Sequence, residues 1–152
     1  MRKVIGLLVI FLLSTAIVSA EVVRKATRNP DGTTSYVFYS DGKEIATQIM
    51  DGTGNIIKTE GKIPDGVVKE YYKSGKLKGE GTIKDGKAEG IVKEYYENGK
   101  LKAEWSIKNG VPDGTIKRYY ESGSIRCIDT YKNGQKLDRK LYDEQGNLQR
   151  EK

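Results

Sequence analysis

Residues 66–89, 90–113 and 114–137 read GVVKEYYKSGKLKGEGTIKDGKAE, GIVKEYYENGKLKAEWSIKNGVPD and GTIKRYYESGSIRCIDTYKNGQKL. Gly66, Gly90 and Gly114 begin the three copies, Gly75, Gly99 and Gly123 mark their middles, and each step is 24 residues. A period of that length predicts a repeat array in which each unit depends on its neighbours.

Within one copy the composition is that of strands and turns. Asn98-Gly99, between Tyr96 and Leu101, suits a two-residue type I′ turn, whose central residues take positive φ. That turn puts Tyr96 opposite Leu101, Glu94 opposite Ala103 and Val92 opposite Trp105 on one side of the sheet. On the other side Tyr95 faces Lys102, Lys93 faces Glu104 and Ile91 faces Ser106. The alternation Leu101, Ala103, Trp105, Ile107 against Lys102, Glu104, Lys108 is that of a half-buried strand. Lys69 and Glu80 repeat the Lys93–Glu104 pairing, whereas Lys117 meets Ile128. Cys127 occupies the place of Gly79 and Ala103, so that position asks for a small side chain.

Upstream, Asn29-Pro30-Asp31-Gly32 is a turn signal, and residues 21–32 read as a mobile lead-in without periodicity. Thr33 to Tyr39, the turn Ser40-Asp41-Gly42-Lys43 and Glu44 to Met50 form a hairpin. With Ile56 to Ile63 they make residues 33–64 a diverged N-terminal hairpin unit. Residues 65–137 hold the three clear repeats, and residues 138–152 a truncated terminal unit with a polar tail. The fold class is therefore all-β: tandem antiparallel β-hairpin repeats of 24 residues forming an elongated twisted single sheet.

Residues 1–20, MRKVIGLLVIFLLSTAIVSA, combine a basic start, an apolar run and small residues before Glu21. They read as a secretory signal peptide cleaved after Ala20, giving an exported, periplasmic or extracellular chain. An uncleaved membrane anchor is the second reading, weakened by an apolar stretch shorter than the roughly 20 residues that a span needs. After Ala20 the chain carries 25 basic and 21 acidic residues, interspersed, which is not the clustered charge of a nucleic-acid binder.

The chain has no histidine and one cysteine, so neither Ser-His-Asp nor Cys-His chemistry is available, nor are the usual zinc ligand sets. No enzyme activity, catalytic residue, metal or cofactor is implied. The candidate binding face is a row of cations interleaved with aromatic rings: Lys69, Tyr71, Lys78, Lys93, Tyr95, Lys102, Lys117, Tyr119 and Arg126. With two strands per unit, equivalent side chains stand about 10 Å apart, a spacing suited to sugars, peptide side chains or phosphate groups. Cross-strand packing of the same tyrosines is the alternative role. The opposite row, Val92, Tyr96, Leu101, Trp105 and Ile107, needs cover from sheet coiling, a partner or a homo-oligomer.

The unit G-x-V-K-E-Y-Y-x-x-G-K-L-K-x-E-x-x-x-K-N-G resembles the bacterial variant of the MORN (membrane occupation and recognition nexus) repeat, closely over Gly66 to Leu137 and loosely over flanking segments. The resemblance implies a long twisted sheet of hairpins used for scaffolding, protein docking or lipid contact, and some relatives carry an antitoxin label. The expected function is an exported, non-enzymatic protein-interaction or scaffold module of the cell envelope. Direct binding of lipid head groups or cell-wall glycan, and antitoxin-like inhibition of a partner protein, are the alternatives.

Overall fold

The computed structural model describes residues 21–149, in which twelve strands form one sheet. The signal-peptide segment, residues 1–20, and the last three residues of the polar tail lie outside the described residues. The array contributes β5 (Gly66–Tyr71), β6 (Leu77–Lys84), β7 (Lys87–Tyr95), β8 (Leu101–Lys108), β9 (Val111–Tyr119) and β10 (Ile125–Lys132), each antiparallel to the next. Next come β11 (Gln135–Tyr142) and a two-residue β12 (Leu148–Gln149).

Two turn types alternate along the array. Asp85-Gly86, Asn109-Gly110 and Asn133-Gly134 have positive φ at both residues, which is the type I′ signature, and they join β6 to β7, β8 to β9 and β10 to β11. The expected type I′ turn at Asn98-Gly99 is not formed. Only Gly99 has positive φ, at 87°, and Tyr96 N–H donates to the Lys100 carbonyl across a three-residue loop. That loop is one residue longer than expected. A bulge compensates, so Tyr95 pairs with Leu101, Lys102 is the extra residue, and the expected register resumes at Glu94–Ala103. The same bulge occurs at Lys78, opposite Glu70 and Tyr71, and at Arg126, opposite Arg118 and Tyr119.

The N-terminal segment departs most from expectation. Residues 22–28, inside the supposed mobile lead-in, form β1 (Val22–Arg28), which pairs antiparallel with β2 (Thr34–Ser40) and parallel with β5. Its period is hidden because Arg24 stands among the inward residues, its guanidinium 4.6 Å from the Tyr36 ring centre. Strands β3 (Lys43–Met50) and β4 (Ile56–Gly61) follow, so the sheet order is β12 to β5 and then β1, β2, β3, β4. The first four strands thus grow away from the array, and the chain returns from β4 to β5 through residues 62–65.

That return forces the sheet to curl. Four strand spacings are about 19 Å on a flat sheet, slightly beyond the roughly 17.5 Å that the five steps from Gly61 to Gly66 span at about 3.5 Å each. Gln48 on β3 donates from Nε2 to the carbonyl of Gly86, 3.2 Å away, in the β6–β7 turn. One face, here face A, therefore closes on itself. Val22, Phe38, Ala46, Ile63, Val68 and Ile83 fill the fold, with Ile63 supplied by the return linker. Gly61 makes the crossing possible: at φ 79° it passes so close to β3 that a Cβ would lie 2.3 Å from the Ile45 carbonyl oxygen.

Candidate functional site

The register sorts the repeat side chains onto two faces. On face A one row across the sheet runs Val68, Gly81, Val92, Trp105, Ile116, Asp129, Arg139. The next runs Glu70, Gly79, Glu94, Ala103, Arg118, Cys127, Leu141. Small residues alternate with long charged ones in the second row, which explains why position 127 is small and buried. Face B carries Lys69 and Tyr71, Lys93 and Tyr95, Lys117 and Tyr119.

Six of the nine predicted residues therefore share face B, and the remaining three do not join them. The bulge that accommodates the longer loop turns Lys78 and Lys102 to face A. There Lys78 pairs with Glu70, and Lys102 pairs with Glu94 at 2.8 Å. Arg126 is the corresponding bulge residue of the third unit, and it is exposed.

The tyrosines of face B serve the sheet. Tyr71 donates to Glu21 at 2.7 Å, Tyr95 to Glu80 at 2.8 Å and Tyr119 to Glu104 at 3.0 Å. Burial, and then the Glu80 carboxylate, push the Tyr95 hydroxyl up to about 12. Lys69 pairs with Glu21, but Lys93 and Glu104, although directly opposite, form no ion pair among the described residues. The Glu104 carboxylate is held by Tyr119 instead.

The second tyrosine of each pair links units through the backbone. Tyr72 donates to the carbonyl of Tyr95 at 2.6 Å, Tyr96 to that of Tyr119 at 2.6 Å and Tyr120 to that of Tyr142 at 2.9 Å. A third ladder runs along the opposite edge. Asp65, Glu89 and Asp113 accept from the backbone N–H of Asp85, Asn109 and Asn133, fixing the type I′ turns to the residue before β5, to β7 and to β9 in succession.

Face A offers a different surface. Thr53 and Asn55 of the β3–β4 turn overhang a cleft of about 410 Å³ that also contacts Val68, Ile83, Val92, Trp105 and Ile107. Its apolar floor is part of the row whose cover the sequence left open. Beside it the third unit breaks the repeat pattern: Arg118 replaces the Glu of the first two units and Asp129 replaces Gly81 and Trp105. Asp129 is completely buried, and both of its oxygens accept from Arg139, one of them also from Arg118. Arg139, and then Arg118, hold the Asp129 carboxyl below its ordinary range against the opposing effect of burial. The Arg118 guanidinium also lies 5.6 Å from the Trp105 ring centre. Arg118, Asp129 and Arg139 are absent from the predicted set, although loss of the repeat at positions 118 and 129 is visible in the sequence.

A curled sheet of stitched hairpins, with its polar ladders joining successive units, is the architecture of a β-hairpin repeat protein. Residues 64–85, 88–109 and 112–133 match the model of the MORN repeat variant, so the chain carries three tandem copies of that repeat. MORN repeats are a non-catalytic module that mediates protein or membrane-lipid interactions. No curated protein matches the chain.

Proposed function

We propose that the protein is an exported, non-enzymatic interaction module of the cell envelope that receives a segment of a partner protein on face A. The cleft carries this reading: Val92, Trp105 and Ile107 form an apolar floor under the β3–β4 turn. Apolar concavity with a few polar groups at its margin is the usual form of a binding site. Export rests on the basic, apolar and small-residue succession of residues 1–20.

Face B supports a second reading, contact with lipid head groups or glycan, because Lys93 and Lys117 enter no ion pair among the described residues. A photocrosslinking residue placed at Ile107 on face A, or at Thr82 on face B, of the full-length chain in cells separates the two. Discrete protein adducts from position 107, kept in high salt, are expected. Adducts from position 82 alone, or salt-sensitive sedimentation with membranes or wall material and no protein adduct, would move the function to face B. A toxin among the adducts would identify the inhibitor form of the same reading. N-terminal sequencing tests export, with Glu21 expected as the first residue of the mature chain.

A further inference from the structure

Charge along face A changes character at the third unit. In the first two units the bulge lysines have their acids, Lys78 with Glu70 and Lys102 with Glu94, and Arg24 of β1 shares Glu70. In the third, the position of Glu70 and Glu94 is occupied by Arg118, and Arg126 takes the bulge place of Lys78 and Lys102. Where its counterparts stand in register beside a carboxylate, Arg126 stands in register beside Arg118. Arg139 joins them from β11, and Asp129 is the one acid within this group. Two guanidiniums thus hold a single buried anion, and a third cation occupies the neighbouring bulge position.

The excess has donors to spend. A guanidinium carries five N–H groups in a planar fork. Asp129 takes one from Arg118, through Nη1, and two from Arg139, through Nε and Nη2. Arg126 is exposed and has no ion pair among the described residues. Asp129 fixes two of the three forks in place, and preorganised forks lose less freedom when they take up a second anion. Next to Arg126 in the chain, the small buried Cys127 has its sulfur 3.5 Å from the Arg118 guanidinium.

We propose that Arg118, Arg126 and Arg139, organised by Asp129, bind a carboxylate of an acidic side chain on the polypeptide that docks in the cleft. This rests on the reading of face A as the docking surface and names the chemistry of its partner: an apolar residue for the floor at Trp105, with an acidic residue beside it. Arg118 joins the two parts, because its guanidinium touches both Asp129 and the Trp105 ring. A polypeptide rather than a bilayer fits here, since the β3–β4 turn overhangs the same cleft and hinders approach by a flat surface.

Trp105 is the chain's one tryptophan and serves as the reporter. The purified protein is titrated with the N-acetylated, C-terminally amidated hexapeptide Leu-Asp-Glu-Leu-Asp-Glu, with its uncharged counterpart Leu-Asn-Gln-Leu-Asn-Gln blocked at both ends in the same way, and with phosphatidylglycerol vesicles, following Trp105 emission. The acidic peptide is expected to bind saturably, about tenfold more tightly than the amide peptide, with the difference shrinking as salt rises. Arg126→Ser, at an exposed position without an ion pair among the described residues, is expected to weaken the acidic peptide at least about threefold, and Arg126→Lys to recover part of the loss. Equal binding of the two peptides, unaffected by Arg126→Ser, would overturn the arginine site while leaving the apolar cleft in place. No response to the acidic peptide at millimolar concentration, or an Arg126-dependent response to vesicles alone, would also overturn it. Crosslinking from position 107 then still judges the docking face by itself.

Discussion

The first four strands and the eight that follow are made of the same element, a twisted antiparallel hairpin, yet they are held together differently. In the array each unit is fastened to the next by side chains recurring at the repeat interval: Tyr72, Tyr96 and Tyr120 to backbone carbonyls, Asp65, Glu89 and Asp113 to turns. The N-terminal segment has no such ladder. It is fixed by closure, with Phe38, Ala46 and Ile63 packed against Val68 and Ile83 of the array. Periodic contacts distribute stability along a chain, whereas a closed core concentrates it.

The difference is open to direct attack, and the largest effect should come from the closed end. Phe38 is 1% exposed, and Phe38→Ala should cost about 3 to 5 kcal/mol in urea denaturation. Gly61→Ala should be comparably severe, since the added Cβ would lie 2.3 Å from a backbone oxygen that cannot swing aside. Gly99→Ala makes the control. It has a similar φ of 87° but open space around it, so only the left-handed backbone cost of about 1 to 2 kcal/mol applies. Hydrogen exchange would show where the loss falls. Exchange confined to residues 22–63 in Phe38→Ala would sharpen the contrast, and uniform loss through β10 would show that the two regions unfold as one.

How far the sequence discloses this arrangement follows from the same contrast. The array is legible because each residue is stated three times, and the Lys93–Glu104 and Val92–Trp105 register can be read without coordinates. Closure is not legible. Val22, Phe38 and Ile63 are far apart in the chain, and Arg24 at an inward position conceals the period of β1. Two of the predicted residues leave the candidate face for a local reason: a hairpin loop of three residues plus a bulge gives the same outer register as a loop of two, but transfers Lys78 and Lys102 to the other face. A Gly-containing turn does not by itself tell the two apart. The arginine cluster was missed because attention to what repeats passes over Arg118 and Asp129, which do not.

Within the array the third unit repeats the contrast on a smaller scale, replacing a half-exposed Lys–Glu pair by a buried Asp between two arginines. Asp129→Asn should cost about 2 to 3 kcal/mol, somewhat below a fully buried pair because both guanidiniums reach solvent. Glu94→Gln, whose partner Lys102 is more exposed, should cost about 0.5 kcal/mol. The two also differ in pH dependence. The Asp129 carboxyl is depressed in the folded state, so its contribution is complete above the ordinary Asp value of about 4 and is lost as pH falls through the lower folded value. The wild-type advantage over Asp129→Asn should hold from pH 7 to about 4 and then shrink. An advantage unchanged at pH 2 would mean that the interaction does not depend on the carboxylate charge.

The smallest effects should come from the ladders, and their additivity tests whether the array is modular. Tyr72→Phe, Tyr96→Phe and Tyr120→Phe each remove one hydroxyl that donates to a carbonyl in the following unit, at a cost of about 1 kcal/mol. The three bonds lie in successive units and share no partner, so losses in a nearest-neighbour array should sum to within about 0.5 kcal/mol in the triple variant. The ring stays, so the packing against Lys102 recorded for Tyr96 is kept and only the hydrogen bond is read. Exchange should rise at the junction beside each substitution and stay unchanged in β1–β4. A triple variant that loses much more than the sum, with exchange reaching Phe38, would make the tyrosine ladder part of one cooperative fold that includes the closed end.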